Sequence, residues 1–405
     1  MPTGEPIKSD EARLGLPAGH HPSWAAIFLL LLAPIDWLVL AALFCGEFLG
    51  RLIRTIAPKT PPLFPIPQPE CSFVILSWNS QSMLEESLPP LLEAVRKDGG
   101  NHEIIVVDNH STDGTEEYVR RRFSEVRLVS SEKNMYFAAG NRLGIEAATR
   151  DILVLMNCDT VVQPGFLSPL LAAFRHSAAF GVASEVVRLE PQQCETGNTH
   201  AYFNGRYLEW RHEPVGGLKN RSHNPVFWLH RGLFAVDRRK YAWLRGFDSL
   251  FDPLYMEDID LSYRAWKVGW KCLLAADSHV SHQHHLGTPA AGETFLRMIV
   301  RRNQYMFFWK NINDLSMITK YIGRSSWARV RRASLPDGAI GEEVRSFLGA
   351  LERFPLVLAR KITVARSIVR SDREVFDLTA SKEIGSRKDR ASSIDGHSCD
   401  LRPGN

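Results

Sequence analysis

The sequence predicts an α/β fold built on a doubly wound, mixed but mostly parallel sheet. Three observations predict it: short apolar runs alternate with amphipathic stretches from residue 71 to residue 156, the runs are too short for anything but buried strands, and polar residues gather where each run stops. Taken in order, CSFVILS (71–77) reads as the first strand and Ser82 to Arg96 as a helix interrupted early by Pro89-Pro90. EIIVVD (103–108) is the second strand, and Asp113 with Glu116 makes a capping-box-like start to a helix through Arg122. Val126 to Ser130 is the third strand, Phe137 to Ala148 a helix, and Ile152 to Met156 the fourth strand. In such sheets ligands bind in the crevice beyond the strand C-terminal ends. Trp78 and Asn79, Asp108 and Asn109, and Asn157 and Asp159 follow three of those strands.

Composition narrows the function. The chain has 405 residues, 44% hydrophobic and 23% charged, enough for one large domain with attachments. A net charge of +4 on that length, with no zinc-finger or RNP pattern, gives no reason to expect a nucleic-acid partner. Cys45, Cys71, Cys158, Cys194, Cys272 and Cys399 are scattered without a CxxC pair, which fits free thiols in a reducing compartment.

After a polar tail (1–23), WAAIFLLLLAPIDWLVLAALFCG (24–46) is apolar apart from Asp36, and as a helix it would reach about 35 Å at about 1.5 Å per residue. This predicts an N-terminal membrane helix, spanning in preference to re-entrant or interfacial, although a central Asp costs about 2.5 to 3.5 kcal/mol on insertion. Arg51, Arg54 and Lys59 close behind it favour a single pass with the C-terminal side cytoplasmic. A Pro-rich linker (57–70) separates this segment from the body.

The SWNSQS turn after the first strand has no GxGxxG or P-loop glycines, so phosphate needs another means of neutralisation. A carboxylate beside an Asn at a strand end suits a divalent metal that bridges a diphosphate.

VILSWN, VVDNHSTDGT, NMYFAAGNRLGIEAA, VLMNCDT and GFDSLFDPLYMEDIDLSYRAWKVGWK, in that order, resemble the family 2 glycosyltransferases of GT-A fold, and in particular their bacterial rhamnosyltransferase-like branch. The resemblance covers residues 71 to 310 and implies a nucleotide-sugar donor, divalent Mg or Mn, and inversion at the anomeric carbon. It places a nucleotide-sugar-binding half at 71–176 and an acceptor half at 177–290. Within it, Trp78 matches an aromatic lying against the base, Asn79 and Asn109 flank the crevice, and Asp108 matches the acid that contacts base or ribose. Asn134 and Asn141 match polar positions of the donor loop. Arg142 is the candidate to replace a cation that relatives carry where this chain has Gly140. Asp159 corresponds to the last Asp of the DxD metal motif, whose first Asp is here Asn157. Asp258 corresponds to the general base, with Glu257 orienting the acceptor and Asp260 the third acid of the EDxD stretch. His284, ahead of Gly287-Thr288, corresponds to a metal or diphosphate ligand, with His285 its close alternative.

RNQYMFFWKN (302–311) resembles a further family element, with aromatics suited either to core or to acceptor contact. Basic residues dominate from Lys320 to Arg373, within a C-terminal helical extension (291–375). There, Val344 to Val369 could form an amphipathic helix meeting anionic membrane lipid or a lipid-diphosphate acceptor, or simply a solvated basic face. Residues 376–405 are polar enough to predict disorder.

The expectation is a membrane-anchored inverting glycosyltransferase acting on a cell-envelope or lipid-linked glycan, with dTDP-rhamnose or a UDP-sugar as donor. Two alternatives compete with it. A sugar-phosphate nucleotidyltransferase would need a glycine-rich basic loop that SWNSQS lacks, and a non-catalytic sugar- or nucleotide-binding protein would have no need of Asp159 and the EDxD acids.

Overall fold

The computed structural model describes residues 33–63, 66, 69–189, 192–204, 208–213, 215, 223–230, 232–282, 292–332 and 339–380. After a first helix, α1 (Ala33–Ile56), the body runs β1 (Cys71–Ser77), α2 (Gln81–Asp98), β2 (Glu103–Asp108), α3 (Thr115–Arg122), β3 (Arg127–Ser130), α4 (Tyr136–Ala147), β4 (Ile152–Asn157), β5 (Thr160–Val162) and α5 (Leu167–Ala172). It continues through β6 (Ala179–Leu189), β7 (Gln192–Thr196), β8 (Asn198–Phe203), β9 (Leu208–Glu213), β10 (Asn224–Pro225), β11 (Leu233–Asp237), α6 (Arg238–Trp243), α7 (Glu257–Lys267) and β12 (Lys271–His282). Five helices close the chain: α8 (Glu293–Asn311), α9 (Leu315–Arg332), α10 (Ala339–Glu352), α11 (Phe354–Ala365) and α12 (Asp372–Leu378).

The main sheet has the order β10-β12-β6-β11-β4-β1-β2-β3, with β5 on β12 and β7 on β6; β8 and β9 pair separately. Along that path only β10 and β11 run against the other strands, so the sheet is mixed and mostly parallel, as expected. Both faces are covered, which is why its strands read as nearly unbroken apolar runs. Val74, Ile105, Val107, Leu153 and Leu155 pack on one side with residues of α1, α7 and α8. Phe73, Ile75, Ile104, Val106, Ile152 and Val154 pack on the other with Leu84, Leu88 and Leu91 of α2 and Leu167 and Leu170 of α5.

Two local expectations are corrected. α2 is not interrupted at Pro89-Pro90. The prolines cannot donate to the carbonyls of Glu85 and Glu86, both exposed residues, while the Leu face keeps its packing. Asp113 does not form a capping box with Glu116; its Oδ1 accepts from the backbone N–H of Thr115 (3.1 Å) and its Oδ2 from that of Gln81 (3.0 Å), tying the starts of α2 and α3 together.

The N-terminal segment is described only in part. Its first nine residues, 24–32, lie outside the described residues, and among the described residues no helix is long and apolar enough to cross a membrane. Its second half belongs to α1, which buries Asp36, Val39, Leu40, Leu43 and Glu47 on one face against α9 and α11. A Cβ on Gly46 or Gly50 would meet Leu358 or Ala365 at 2.5 Å, so glycine lets the two helices touch. Asp36 accepts from the Ser326 hydroxyl and Glu47 from Arg51 Nε (2.9 Å), so the carboxylates that argue against a lipid environment are satisfied by protein. Trp37, Leu38, Phe48, Leu49, Leu52 and Ile56 remain exposed.

The expected helix over 344–369 is two helices, α10 and α11, broken at Arg353 ahead of Pro355. Phe376 to Leu378, expected to begin a disordered tail, complete α12, started by a capping box between Ser371 and Glu374; residues 1–32 and 381–405 lie outside the described residues.

Gly144 sets the distance between α4 and the sheet, since a Cβ there would lie 2.4 Å from Val74 and 2.7 Å from Val107. Gly144→Ala should therefore cost about 1–3 kcal/mol by overpacking, read from urea melts. Adding Val74→Ala should recover part of that loss, and a double variant showing simple additivity would contradict the close contact.

Candidate active site

The crevice forms where β1, β2 and β4 end. Asn79, in left-handed backbone (φ 49°), accepts from the Thr112 N–H (2.7 Å) and gives its own N–H to the Ser111 hydroxyl (2.9 Å), which closes the turns after β1 and β2 on each other. Beneath them Asp108 is buried; its Oδ2 accepts from the Ser111 N–H (3.3 Å), while its Oδ1 is buried with no partner. A carboxylate oxygen left dry in this way calls for a donor from a ligand. Asn109 gives its amide N–H to Asn134 Oδ1 (3.0 Å) and accepts from the Met135 N–H (2.8 Å), so it braces the 131–136 loop over the crevice. Trp78 is half-buried at the rim.

After β4, Asp159 Oδ1 lies 3.0 Å from His282 Nε2, and Asn157 Nδ2 lies 3.5 Å from the same nitrogen. The pairing follows from register: β5 and β12 are antiparallel with Thr160 opposite His282, which puts the last residue of β12 beside the NCD turn. Carboxylate, imidazole and amide together suit a divalent cation whose remaining positions are filled by water or ligand oxygen. Among the described residues no group of three His, Cys, Asp or Glu side chains could hold a metal. His230, by contrast, is pushed down to about 3 by burial and donates from Nε2 to Ser184 O (2.8 Å), so its ring stays neutral and structural.

The acids of residues 257–260 open α7. Tyr255 and Met256 both adopt left-handed backbone (φ 69° and 75°), turning the chain sharply into the helix. Asn303 holds that turn by donating to the carbonyls of Phe251, Leu254 and Tyr255 (2.8–2.9 Å). One turn into α7, the Ser262 hydroxyl donates to Asp258 O (2.7 Å) and accepts from the Leu229 N–H (3.0 Å), while Asn157 N–H donates to Gly232 O (3.2 Å). The short segment from Leu229 to Gly232 thus couples the start of α7 to the end of β4.

These features match known proteins. Residues 72–240 match the family model described as glycosyl transferase family 2. Those residues belong to family 2 of the glycosyltransferases. The N-acetylglucosaminyl-diphospho-decaprenol L-rhamnosyltransferase of Mycobacterium tuberculosis is 27% identical over 274 residues, 57% of this chain and 87% of that one. Polypeptide N-acetylgalactosaminyltransferase 5 of Caenorhabditis elegans is 24% identical over 56% of this chain, which spans only 38% of that enzyme's length. In fold, the chain is similar to the crystal structure of GalNAc-T7 with UDP, GalNAc and Mn2+, with a TM-score of 0.54, 16% identity, and 76% of this chain and 60% of that one covered.

The remaining expected site residues are distributed unevenly. Glu257 and Asp258 are 1% and 7% exposed at the first turn of α7, whereas Asp260 is 0% exposed and faces the other way. Asp260 accepts from Lys310 Nζ (2.7 Å), Asn311 Nδ2 (2.8 Å) and Arg264 Nε (2.7 Å), so it anchors the helix. Asn141 is also internal, giving its amide N–H to Phe137 O (2.9 Å) within α4. Arg142 lines a cavity formed with the Trp243–Ser249 turn. His284 and His285 lie outside the described residues; His282 is the histidine at Asp159, and sequence reasoning passed over it in a run of four. In the 302–311 element, Asn303, Lys310 and Asn311 support the acid loop, and its aromatics are buried core.

Lys310 also lies 2.7 Å from Asp248. Burial acts to raise the Asp248 pKa, but the Lys310 ammonium, the Arg264 charge and the Leu250 N–H outweigh it and hold the group at about 2, against an ordinary 3.8. A folded-state pKa below the unfolded one stabilises above the unfolded value, so on the order of 2 kcal/mol should be lost as pH falls from about 4 to about 2. Lys310→Met should cost roughly 3–5 kcal/mol at pH 7 by leaving buried carboxylates unpaired. Its stability should then rise, not fall, on acidification from pH 7 to pH 4, as urea melts would show; a variant whose pH profile parallels the parent's would refute this account.

Proposed function

We propose that this chain is a membrane-associated, inverting glycosyltransferase that moves a sugar from a nucleotide-diphospho-sugar, dTDP-rhamnose or a UDP-sugar, to a hydroxyl of a lipid-linked or cell-envelope glycan. The observation that carries the reading is the crevice itself: a buried, half-unpartnered Asp108 at one strand end and the Asp159–His282 pair at another, in a glycosyltransferase fold. Asp108 Oδ1 would accept from the nucleoside, with Trp78 against the base and Asn109 holding the 131–136 loop in place.

Asp159 and His282, with Asn157, would hold Mg or Mn, which when bound supplies positive charge against the leaving diphosphate. The similar GalNAc-T7 structure contains UDP and Mn2+. Asp258 takes the proton of the acceptor hydroxyl as that oxygen bonds to the anomeric carbon and the bond from this carbon to the diphosphate oxygen breaks, releasing the nucleoside diphosphate. Attack opposite the leaving group inverts the centre. Glu257, beside it, orients the acceptor.

The named acceptor of the mycobacterial relative is a diphospho-decaprenol lipid. The exposed apolar side chains of α1, Trp37, Leu38, Phe48, Leu52 and Ile56, support membrane contact through that helix, and Arg51, Arg54 and Lys59 favour the cytoplasmic face.

With Mg or Mn present, nucleoside diphosphate release from dTDP-rhamnose, UDP-galactose, UDP-N-acetylglucosamine and GDP-mannose, with membrane lipid extract as acceptor, should single out one donor. Asp258→Asn should lower its turnover about 10²- to 10⁴-fold with nucleotide affinity kept. His282→Ala should raise the metal concentration needed for half-activity about 10- to 100-fold. Full turnover in Asp258→Asn would remove this residue as the base, and nucleotide binding without release from any donor would turn the reading to a binding protein.

A further inference from the structure

Beside the acid loop lies a cavity of about 410 Å³ whose lining includes none of the strand-end residues of the crevice. It is walled by the turn from Trp243 to Ser249, by α4, by α11 and by the chain leaving α1, and it gathers Lys59, Arg142, Arg245, Arg264, Arg360 and Arg366 around one carboxylate, Asp248. That carboxylate is already neutralised by Lys310 at 2.7 Å. Arg264 is likewise committed, to Asp260 and to the carbonyls of Leu244 and Gly246, each at 2.7 Å.

The other cations are not committed in this way. Arg360 Nε is buried with no hydrogen-bond partner, its nearest carboxylate oxygen being Asp248 Oδ1 at 3.6 Å. Arg142, Arg245 and Arg366 make no ion pair among the described residues. Lys59 rests its ammonium 4.2 Å over the Trp243 ring, and its N–H donates to Arg366 O (3.0 Å), which pins the wall. The backbone N–H groups of Arg245, Gly246 and Phe247 are all spent inside their own turn, so anything held here is held by side chains.

Like charges converge at a cost in the folded chain, and a concave basic site of this size fits a compact polyanion. Guanidinium groups bind phosphate oxygens through paired N–H donors. We propose that this cavity is a binding site for a phosphate or diphosphate group, separate from the donor crevice and independent of which sugar is transferred. Its two possible sources are a free diphosphate and the headgroup of an anionic lipid, since exposed Ile56 and Val369 flank the chain segments that supply Lys59 and Arg366.

The test is titration of the full chain with inorganic pyrophosphate in the presence of a chelator, which removes any metal-bridged binding in the crevice. Calorimetry and Trp243 fluorescence are the readouts. The wild type should bind, and Arg360→Gln combined with Arg366→Gln should weaken binding at least tenfold. Arg324→Gln with Arg121→Gln, the same charge loss at exposed positions elsewhere, should not. If the paired cavity variant fails to fold, Arg366→Gln alone and the loss of the fluorescence change in Trp243→Phe carry the test. Sedimentation with phosphatidylglycerol against phosphatidylcholine vesicles separates the sources: binding to the anionic vesicles that pyrophosphate displaces and the variant loses assigns a lipid headgroup, and pyrophosphate binding without vesicle binding assigns a free diphosphate. No pyrophosphate binding by the wild type at millimolar concentration, or binding undiminished in the paired variant, overturns the proposal. Nucleotide-sugar turnover assayed on the same samples keeps its failure distinct from that of the transfer reading.

Discussion

The position of α7 depends on one buried ammonium. Lys310 lies between Asp248 and Asp260, 2.7 Å from each, with Asn311 and Arg264 completing the shell of Asp260. An isolated carboxylate in this core would be costly, and two would repel; the lysine from α8 turns that liability into a joint between three separate stretches of chain. Since Asp260 sits half a helical turn from Asp258, fixing one also fixes the direction of the other. The first turn of α7 can then carry acids that also complement its dipole, without those acids collapsing onto the core cations.

The crevice obeys a different economy. Most of its polar residues are spent on each other: Asn79 on Thr112, Asn109 on Asn134 and Met135, and Asn141 on its own helix. What is left open is little, chiefly one oxygen of Asp108 and the Asp159–His282 pair. Rigid loops with few free groups are what a site needs if the ligand is to be oriented rather than merely retained. Division of labour among the asparagines could not be read from sequence, because Asn in a turn and Asn at a ligand look alike until their partners are known.

The same limit separates the legible from the illegible elsewhere. β1, β2 and β4 were legible because parallel strands buried on both faces leave unbroken apolar runs, and their polar ends located the crevice. The strand order beyond β4 was not, since β11 and β12 reach their places by long connections that carry no local pattern. His282 was missed for that reason: only the pairing of β12 with β5 distinguishes it from its neighbours in HVSHQHH. The anchoring role of Asp260 was illegible because its buried partners Lys310 and Asn311 lie some fifty residues later in the chain. What Asp36 does was also illegible, because hydropathy counts residues without asking which face they occupy; in α1 it faces protein.

That last point links the two ends of the chain to its chemistry. Glu47 of α1 accepts from Asn313 and lies 3.7 Å from Lys361 of α11, whose pKa burial lowers to about 8 despite the nearby Glu47 and Asp372 carboxylates. Asp372 of α12 in turn accepts from Tyr263 and Lys267 of α7 (2.6 Å each) and from the N–H groups of Asn313 and Asp314 (2.7 and 2.6 Å). A continuous buried polar network therefore runs from the helix with the exposed apolar side chains to the helix that presents Asp258. Contacts of this kind resist partial rupture, because each lost partner leaves a buried charge or donor unsatisfied. A displacement of α1 would therefore be felt at α7, so the position of the helix with the exposed apolar side chains and the position of Asp258 are set by the same buried joint.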